Sequence, residues 1–312
     1  MGKPVVVLGI FNADTAYRAA RLPRLGETIM GAGFHLGPGG KGSNQAVAAA
    51  RSGGDVHMIT RLGRDDFALM ARGVWAGAGV TPHVIEDADS HTGSAFIFLE
   101  EGTGQNAIIV CPGAAGRITV EDIHANRALI EGAGVFLTQL EQPLAAAEEG
   151  LALARAAGVT TILNPAPAAT LSDRMLAMVD IITPNESEAE SLTGLPVTSL
   201  TEAEAAADAL IARGVGAAII TLGENGVLYR KDGQSLHVPA RAPGPVAETT
   251  GAGDAFNGGL ATALSEGRPM ADALRFGCAV AGISVTRPGA AAAMPTRAEV
   301  EAFLATQAGS GD

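Results

Sequence analysis

The sequence predicts an α/β fold, a doubly wound and mostly parallel sheet with helices on both faces. Two observations carry this. Short apolar runs alternate along the chain with segments whose apolar residues recur at helical spacing. The 312 residues are also 47% hydrophobic but only 4% aromatic. The core must therefore come from Ala, Val, Leu and Ile, the usual filling of helix-covered parallel strands. This length suits one large domain over residues 1–312, with at most a small appendage.

Runs at 5–9, 56–60, 135–140, 160–163, 181–183 and 218–221 read as buried strands. Helical spacing marks 66–78, 143–157, 186–193 and 201–213, and a small-residue helix is expected from about Gln45. After 221 the rhythm changes to a hairpin, 227–230 and 236–238 around the turn 231–234. Helices follow at 254–265, 270–285 and 296–306. Two stretches, 15–36 and 92–110, fit no βα unit. Within the second, 93–99 and 107–110 flank the turn 101–104 and leave apolar residues in need of a cover. Read alone, they form a flap.

Composition excludes several functions. The formal net charge of −12 argues against a nucleic-acid partner, so any anionic ligand must be held by local groups. Cys111 and Cys278 offer neither a disulfide framework nor metal-ligand spacing. No apolar run approaches the ~18 residues of a membrane span. Residues 5–11 lead into Asn12 and Asp14 and read as a strand rather than a signal segment. A cytoplasmic protein with no membrane partner is the expectation.

The most informative stretch is 248–259, where Gly251-Ala-Gly-Asp254 leads into an apolar helix. First-turn N–H groups lack internal partners and the helix dipole is positive there, so small residues let an anion approach. Asp254 then faces that anion, a placement that suits a proton acceptor. Together they supply donors for a phosphoryl group and a base for the attacking hydroxyl. Taken by itself, the stretch equally fits a Gly-rich turn with an N-capping Asp. A second Gly-rich run, Gly37-Pro-Gly-Gly-Lys-Gly-Ser-Asn44, matches Gly-x-Gly-x-x-Gly but does not follow the first strand as a dinucleotide fold requires. Gly42 after Lys41 also fails the P-loop pattern. What remains is a polar cluster on a flexible backbone, suited to a polyhydroxylated ligand. Asn12 and Asp14 lie where the first strand ends, the usual ligand edge of such sheets, although an Asx turn explains them as well. Acids at 186, 188 and 190 crowd a helix start, which the dipole alone favours.

The order and separation of these motifs closely resemble the ribokinase family of sugar kinases over nearly the whole chain. Further matches are Pro23-x-x-Gly-Glu-Thr28, Gln139-Leu-Glu141, Asn164-Pro-Ala-Pro-Ala168, Thr183-Pro-Asn-Glu186, Thr221-Leu-Gly-Glu-Asn-Gly226 and Val285-Thr-Arg-Pro-Gly289. Gly-Ala-Gly-Asp is shared by many kinases, whereas Gly39-Gly-Lys-Gly-Ser-Asn-Gln-Ala46 and Asn164–Ala168 are narrower. The resemblance implies phosphoryl transfer from ATP to a sugar, D-ribose at its 5-hydroxyl being the expected acceptor.

It also implies roles. Asp254 is the base, and the N–H groups of Gly251, Ala252, Gly253 and Asp254 hold the transferring group. Asn12, Asp14, Gly40, Lys41, Gly42, Ser43, Asn44 and Glu141 bind the sugar. Asn185, Thr221, Leu222, Gly223, Glu224, Asn225, Gly226 and Cys278 join Gly253 and Asp254 around ATP. Glu188 organises hydrated Mg²⁺, and Glu248, Thr250, Ser284, Arg287, Gly289 and Ala293 surround K⁺. Residues of about 12–38 and 91–110 become a β-sheet lid through which two subunits pair as a homodimer.

The chain departs from the family pattern at four places. Glu248 stands for the usual Asp, Cys278 for a His, Ala293 for a hydroxyl-bearing residue and Ala115 for Asn. These bear on cation and nucleotide fit. A different sugar or nucleoside acceptor stays open, as does a sensor that keeps the fold without activity. The intact Asp254 argues against the sensor, which has no need of a base.

Overall fold

The computed structural model describes residues 2–103 and 105–308. The chain opens with β1 (Val5–Leu8), β2 (Asn12–Ala19), β3 (Gly33–Gly39), α1 (Lys41–Arg51) and β4 (Val56–Leu62). Then come α2 (Asp66–Ala78), β5 (Val80–Glu86), β6 (Ser94–Glu100), β7 (Asn106–Cys111), α3 (Val120–Ala125) and α4 (Arg127–Glu131). The middle holds β8 (Val135–Thr138), α5 (Leu144–Ala156), β9 (Thr160–Leu163), α6 (Asp173–Leu176), β10 (Ile181–Ile182), α7 (Glu186–Thr193) and α8 (Leu200–Ala212). The last part is β11 (Ala217–Thr221), the hairpin β12 (Val227–Lys231) and β13 (Gln234–Val238), then α9 (Ala252–Ser265), α10 (Met270–Ser284) and α11 (Arg297–Ala308).

Among the described residues, nine strands form one sheet in the order β13-β12-β11-β10-β9-β8-β1-β4-β5, parallel except for the β12–β13 edge. The expected fold class is what the structure contains. Successive residues of β1 point to opposite faces: Val5 and Val7 join one core with α1, α2, α9 and α10, Val6 and Leu8 the other with α5 and α8. All four are fully buried, which is why the strand reads as a continuous apolar run. Strand order reverses at β1, with β4 on one side and β8 on the other. Such a reversal opens a crevice at the carboxyl ends of the strands, where ligands of open α/β sheets bind. The residues leaving β1 and β8 are Asn12 and Glu141.

A second sheet, β3-β2-β6-β7, accounts for the two stretches that broke the βα rhythm. It lies over that crevice, since β2 begins at Asn12 and β3 runs directly into α1. Of the turn expected at 101–104, Gly104 lies outside the described residues.

Three expectations need correction. The first helix starts at Lys41, not near Gln45, so the polar cluster sits in a well-packed helical turn rather than on a flexible loop. Gly40 makes the entry at φ 89°, and a Cβ at Gly42 would lie 2.7 Å from the Gly9 Cα. These glycines thus serve close packing against β1. The final helix of the catalytic stretch starts at Ala252, one turn's edge before the expected 254. The strand β5 and the short helices α3, α4 and α6 were not anticipated. Half-exposed β5 residues and helices of four to six residues carry too little periodicity to read.

The contact that positions the site is α1 against α9. At Gly258 a Cβ would meet the Ala48 Cβ at 2.5 Å and the Gln45 carbonyl oxygen at 2.7 Å. Gly258→Ala should therefore cost about 1–3 kcal/mol through overpacking. Gly73→Ala, at a helical glycine with nothing within 4 Å, should instead gain about 0.5–1 kcal/mol. Urea midpoints of the two variants check this, and equal midpoints would contradict the packing described.

Candidate active site

α9 starts from Gly251, whose left-handed backbone (φ 77°) packs under the Ala290 Cβ. Ala252 N–H donates to the Thr249 carbonyl at 3.1 Å, so of the four N–H groups expected to face an anion this one is engaged. Those of Gly251, Gly253 and Asp254 have no acceptor among the described residues.

Asp254 is buried, and its two carboxylate oxygens accept from different α1 side chains. Asn44 Nδ2 reaches one at 3.0 Å and Gln45 Nε2 the other at 2.9 Å. Burial pushes its pKa up, while the Lys41 ammonium and these two amides pull it back. Around it stand the other carboxylates. Glu141 accepts from the Lys41 backbone N–H at 2.7 Å, and burial lifts its pKa to about 7. Asp14 lies over Gly39, where a Cβ would come within 2.1 Å of its oxygen, and burial lifts it to about 6.

The oxygen atoms Asn12 Oδ1 and Asn44 Oδ1 are buried with no hydrogen-bond partner among the described residues. Buried acceptors left this way are costly unless a ligand donates to them. Gly93 leaves space for the first, since a Cβ there would lie 2.3 Å from it. Carboxylates needing protons and amide oxygens needing donors together match the chemistry of a polyhydroxylated ligand. Ser43 does not join this set. Its hydroxyl is fully buried and accepts from Trp75 Nε1 at 2.9 Å, so it points into the core. Gly42 is likewise a packing residue.

On the other side of the α9 start lies a cleft of about 540 Å³. Thr221, Gly223, Glu224, Gly226, Gly253 and Cys278, all expected there, line it. Leu222 is buried and Asn225 exposed, and neither lines the cleft. Sequence reading missed the apolar wall of Phe256, Val246, Ala281 and Val285. Each looks like an ordinary helix or loop residue, and only the fold brings them together. Burial raises the Cys278 thiol to about 12, which makes it an inert wall.

Asn185 caps α7 with Glu188 in a reciprocal capping box, Glu188 Oε2 accepting from the Asn185 N–H at 2.9 Å. The second oxygen of Glu188 makes no hydrogen bond among the described residues, and its pKa is raised by burial. No group of three His, Cys, Asp or Glu among the described residues is arranged to hold a metal by itself. Beside the α9 start, Glu248 Oε2 accepts from the Gly289 N–H at 2.8 Å. The Ser284 hydroxyl is turned to the Ala281 carbonyl and Arg287 pairs with Glu299. Ala293 is buried and Thr250 exposed.

A buried carboxylate and free N–H groups thus meet at one helix start, between a polar pocket and a cleft of about 540 Å³. The chain belongs to the pfkB family of carbohydrate kinases, whose model matches residues 3–297. It is 40% identical to the ribokinase of Haemophilus influenzae, over 97% of this chain and 99% of that one. With the Staphylococcus aureus ribokinase the identity is 37%, over 96% and 99%. The structure of Arabidopsis thaliana ribokinase complexed with ribose and ATP superposes with a TM-score of 0.91 at 31% identity, over 97% and 99%.

The raised carboxylates make stability depend on pH. The folded-state values of Glu141 (about 7) and Asp14 (about 6) lie above the ordinary 4.5 and 3.8. Their protons are held more tightly in the folded chain, so this contribution is full below about pH 4 and lost as pH rises through 6 and 7. The ligand-free protein should lose stability between about pH 4 and 7, and Glu141→Gln should flatten that slope. Urea midpoints across this range measure it, and parallel slopes for both proteins would remove Glu141 as the cause.

Proposed function

We propose that this chain is an ATP-dependent ribokinase, converting D-ribose and ATP to D-ribose 5-phosphate and ADP. One observation carries the reading: Gly253 and Asp254, adjacent at the start of α9, serve the cleft and the polar pocket respectively. The sequence likeness to named ribokinases supports the choice of sugar.

In this reading ribose lies among Asn12, Asp14, Gly40, Lys41, Asn44 and Glu141, its hydroxyls donating to the unpartnered amide oxygens and the carboxylates. Asp254 removes the proton of the 5-hydroxyl as that oxygen bonds to the γ-phosphorus and the bond to the β-phosphate oxygen breaks. The N–H groups of Gly251, Gly253 and Asp254 meet the charge on the transferring group. The lid sheet excludes water, the competing acceptor. ATP binds with its base against the apolar wall and its phosphates toward Asn185 and the α9 start.

Mg²⁺ suits the donors present, one half-buried carboxylate (Glu188) near the phosphate path, because this ion keeps waters and shares phosphate oxygens. When bound it offsets phosphate charge. A second copy covering the exposed Phe34 and Ile109 of the lid sheet would make a homodimer, which light scattering tests. Use of ATP and two unpaired cysteines fit a cytoplasmic setting.

Asp254→Asn keeps the shape but takes no proton. Turnover should fall roughly 10²–10⁴-fold while ATP and ribose still bind. Single-turnover rates within a few-fold of the parent would dismiss Asp254 as base.

For the monovalent cation, the carboxylate of Glu248 and the carbonyl-rich turn 284–293 fit K⁺, even without a hydroxyl at Ala293. KCl titrated into sodium-free buffer should raise kcat, and Glu248→Gln should weaken that rise. Activity already full without K⁺ would show that the site is lost.

A further inference from the structure

The buried amides beneath Asp254 form a closed hydrogen-bonded circuit. Gln45 Nε2 donates to Asp254 and, at 3.1 Å, to Asn164 Oδ1. Asn164 Nδ2 donates to the Thr183 carbonyl at 3.0 Å, and the Thr183 hydroxyl to Asn257 Oδ1 at 2.7 Å. Asn257 Nδ2 then returns to the Gly253 carbonyl at 2.9 Å. That carbonyl belongs to the same peptide as the Asp254 N–H. One circuit therefore holds both the carboxylate and a peptide whose N–H has no acceptor among the described residues.

Its polarity is forced. A carboxylate and a backbone carbonyl only accept, so Gln45 must turn its nitrogen to Asp254 and Asn164 its nitrogen to Thr183. Gln45 Oε1 is then left for a donor, which Gln139 Nε2 supplies. Gln45 and Gln139 are both fully buried, where an unmatched amide is costly. If Gln139 gave no donor, Gln45 Oε1 would be left buried and unpaired, weakening the hold on the one orientation that serves the carboxylate.

We infer that Gln45, held in one orientation by Gln139, is a positioning residue that fixes Asp254 for proton removal and keeps it ionised. This rests on the kinase reading, in which Asp254 is the base. Hydrogen bonds to a carboxylate favour its charged form, opposing the burial that favours the neutral one. The charged groups facing Asp254 from neighbouring elements are Lys41 on α1, Glu141 after β8 and Glu188 on α7. None is replaced in the variants below, so their fields stay the same.

The test compares the parent with Gln45→Met and Gln139→Met, each close in size and without the amide. With Mg-ATP and ribose, Gln45→Met should lower kcat about tenfold or more. The KM values should stay within about threefold, and the acidic limb of the kcat–pH profile should move up by about one to two pH units, the scale of one charge-assisted hydrogen bond. Gln139→Met should shift the limb the same way by less, and serves alone if Gln45→Met does not fold. Carboxyl ¹³C NMR of the ligand-free protein, with Asp254 assigned from the signal lost in Asp254→Asn, should show the same upward titration shift without turnover. A fall in kcat with both titrations unmoved would overturn the inference, leaving Gln45 as packing. An active Asp254→Asn would instead remove Asp254 as the base and with it this inference, and a parent that does not phosphorylate ribose would refute the kinase reading; the NMR titration tests the geometry apart from both.

Discussion

Everything in the site depends on how closely α1 and α9 approach. Gly258 lets the backbone of α1 come against α9, and the first turns of both helices then meet. At that meeting Asn44 and Gln45 supply amide N–H groups to the two oxygens of Asp254. A carboxylate so buried is stable in the folded chain only with such donors. The same start of α9 leaves N–H groups open toward the neighbouring cleft. A helix-helix contact made possible by one missing side chain thus sets the distance between the proposed sugar pocket on α1 and the proposed phosphate site at the start of α9.

The second constraint is electrostatic. Asp14, Glu141 and Asp254 are all raised by burial, and Lys41 is the cation that acts on the last two. Left empty, such a pocket strains the folded chain as pH rises. Ribose hydroxyls would relieve this by donating to the carboxylates and to Asn12 and Asn44. The arrangement therefore favours a neutral, hydroxyl-rich ligand over an anion on the sugar side, and an anion on the N–H side. Fold topology adds the location, because strand order reverses at β1 beside β8.

Much of this was legible in the sequence, for a physical reason. Close backbone approach demands glycine, so Gly39, Gly40, Gly42 and Gly251 mark their own sites, and buried parallel strands announce themselves as apolar runs. Other features left no local trace. Gln45 inside an alanine-rich helix reads like any surface glutamine, and only the fold shows that Asn164, Thr183 and Asn257 lie beneath it. Ser43, one position earlier, looks like part of the polar cluster but turns inward to Trp75. The helical phase of 41–44 decided this, and an expected start at Gln45 hid it. The apolar cleft wall drew residues from three separate segments, which no single window of sequence reveals.

The most direct measurement is a crystal structure of the protein with ribose and a non-hydrolysable ATP analogue. The account predicts the ribose 5-hydroxyl within about 2.6–3.2 Å of an Asp254 carboxylate oxygen. The terminal phosphate should lie against the N–H groups of Gly253 and Asp254, in line with that hydroxyl. Ribose bound away from Asp254, or phosphates turned from the start of α9, would contradict it.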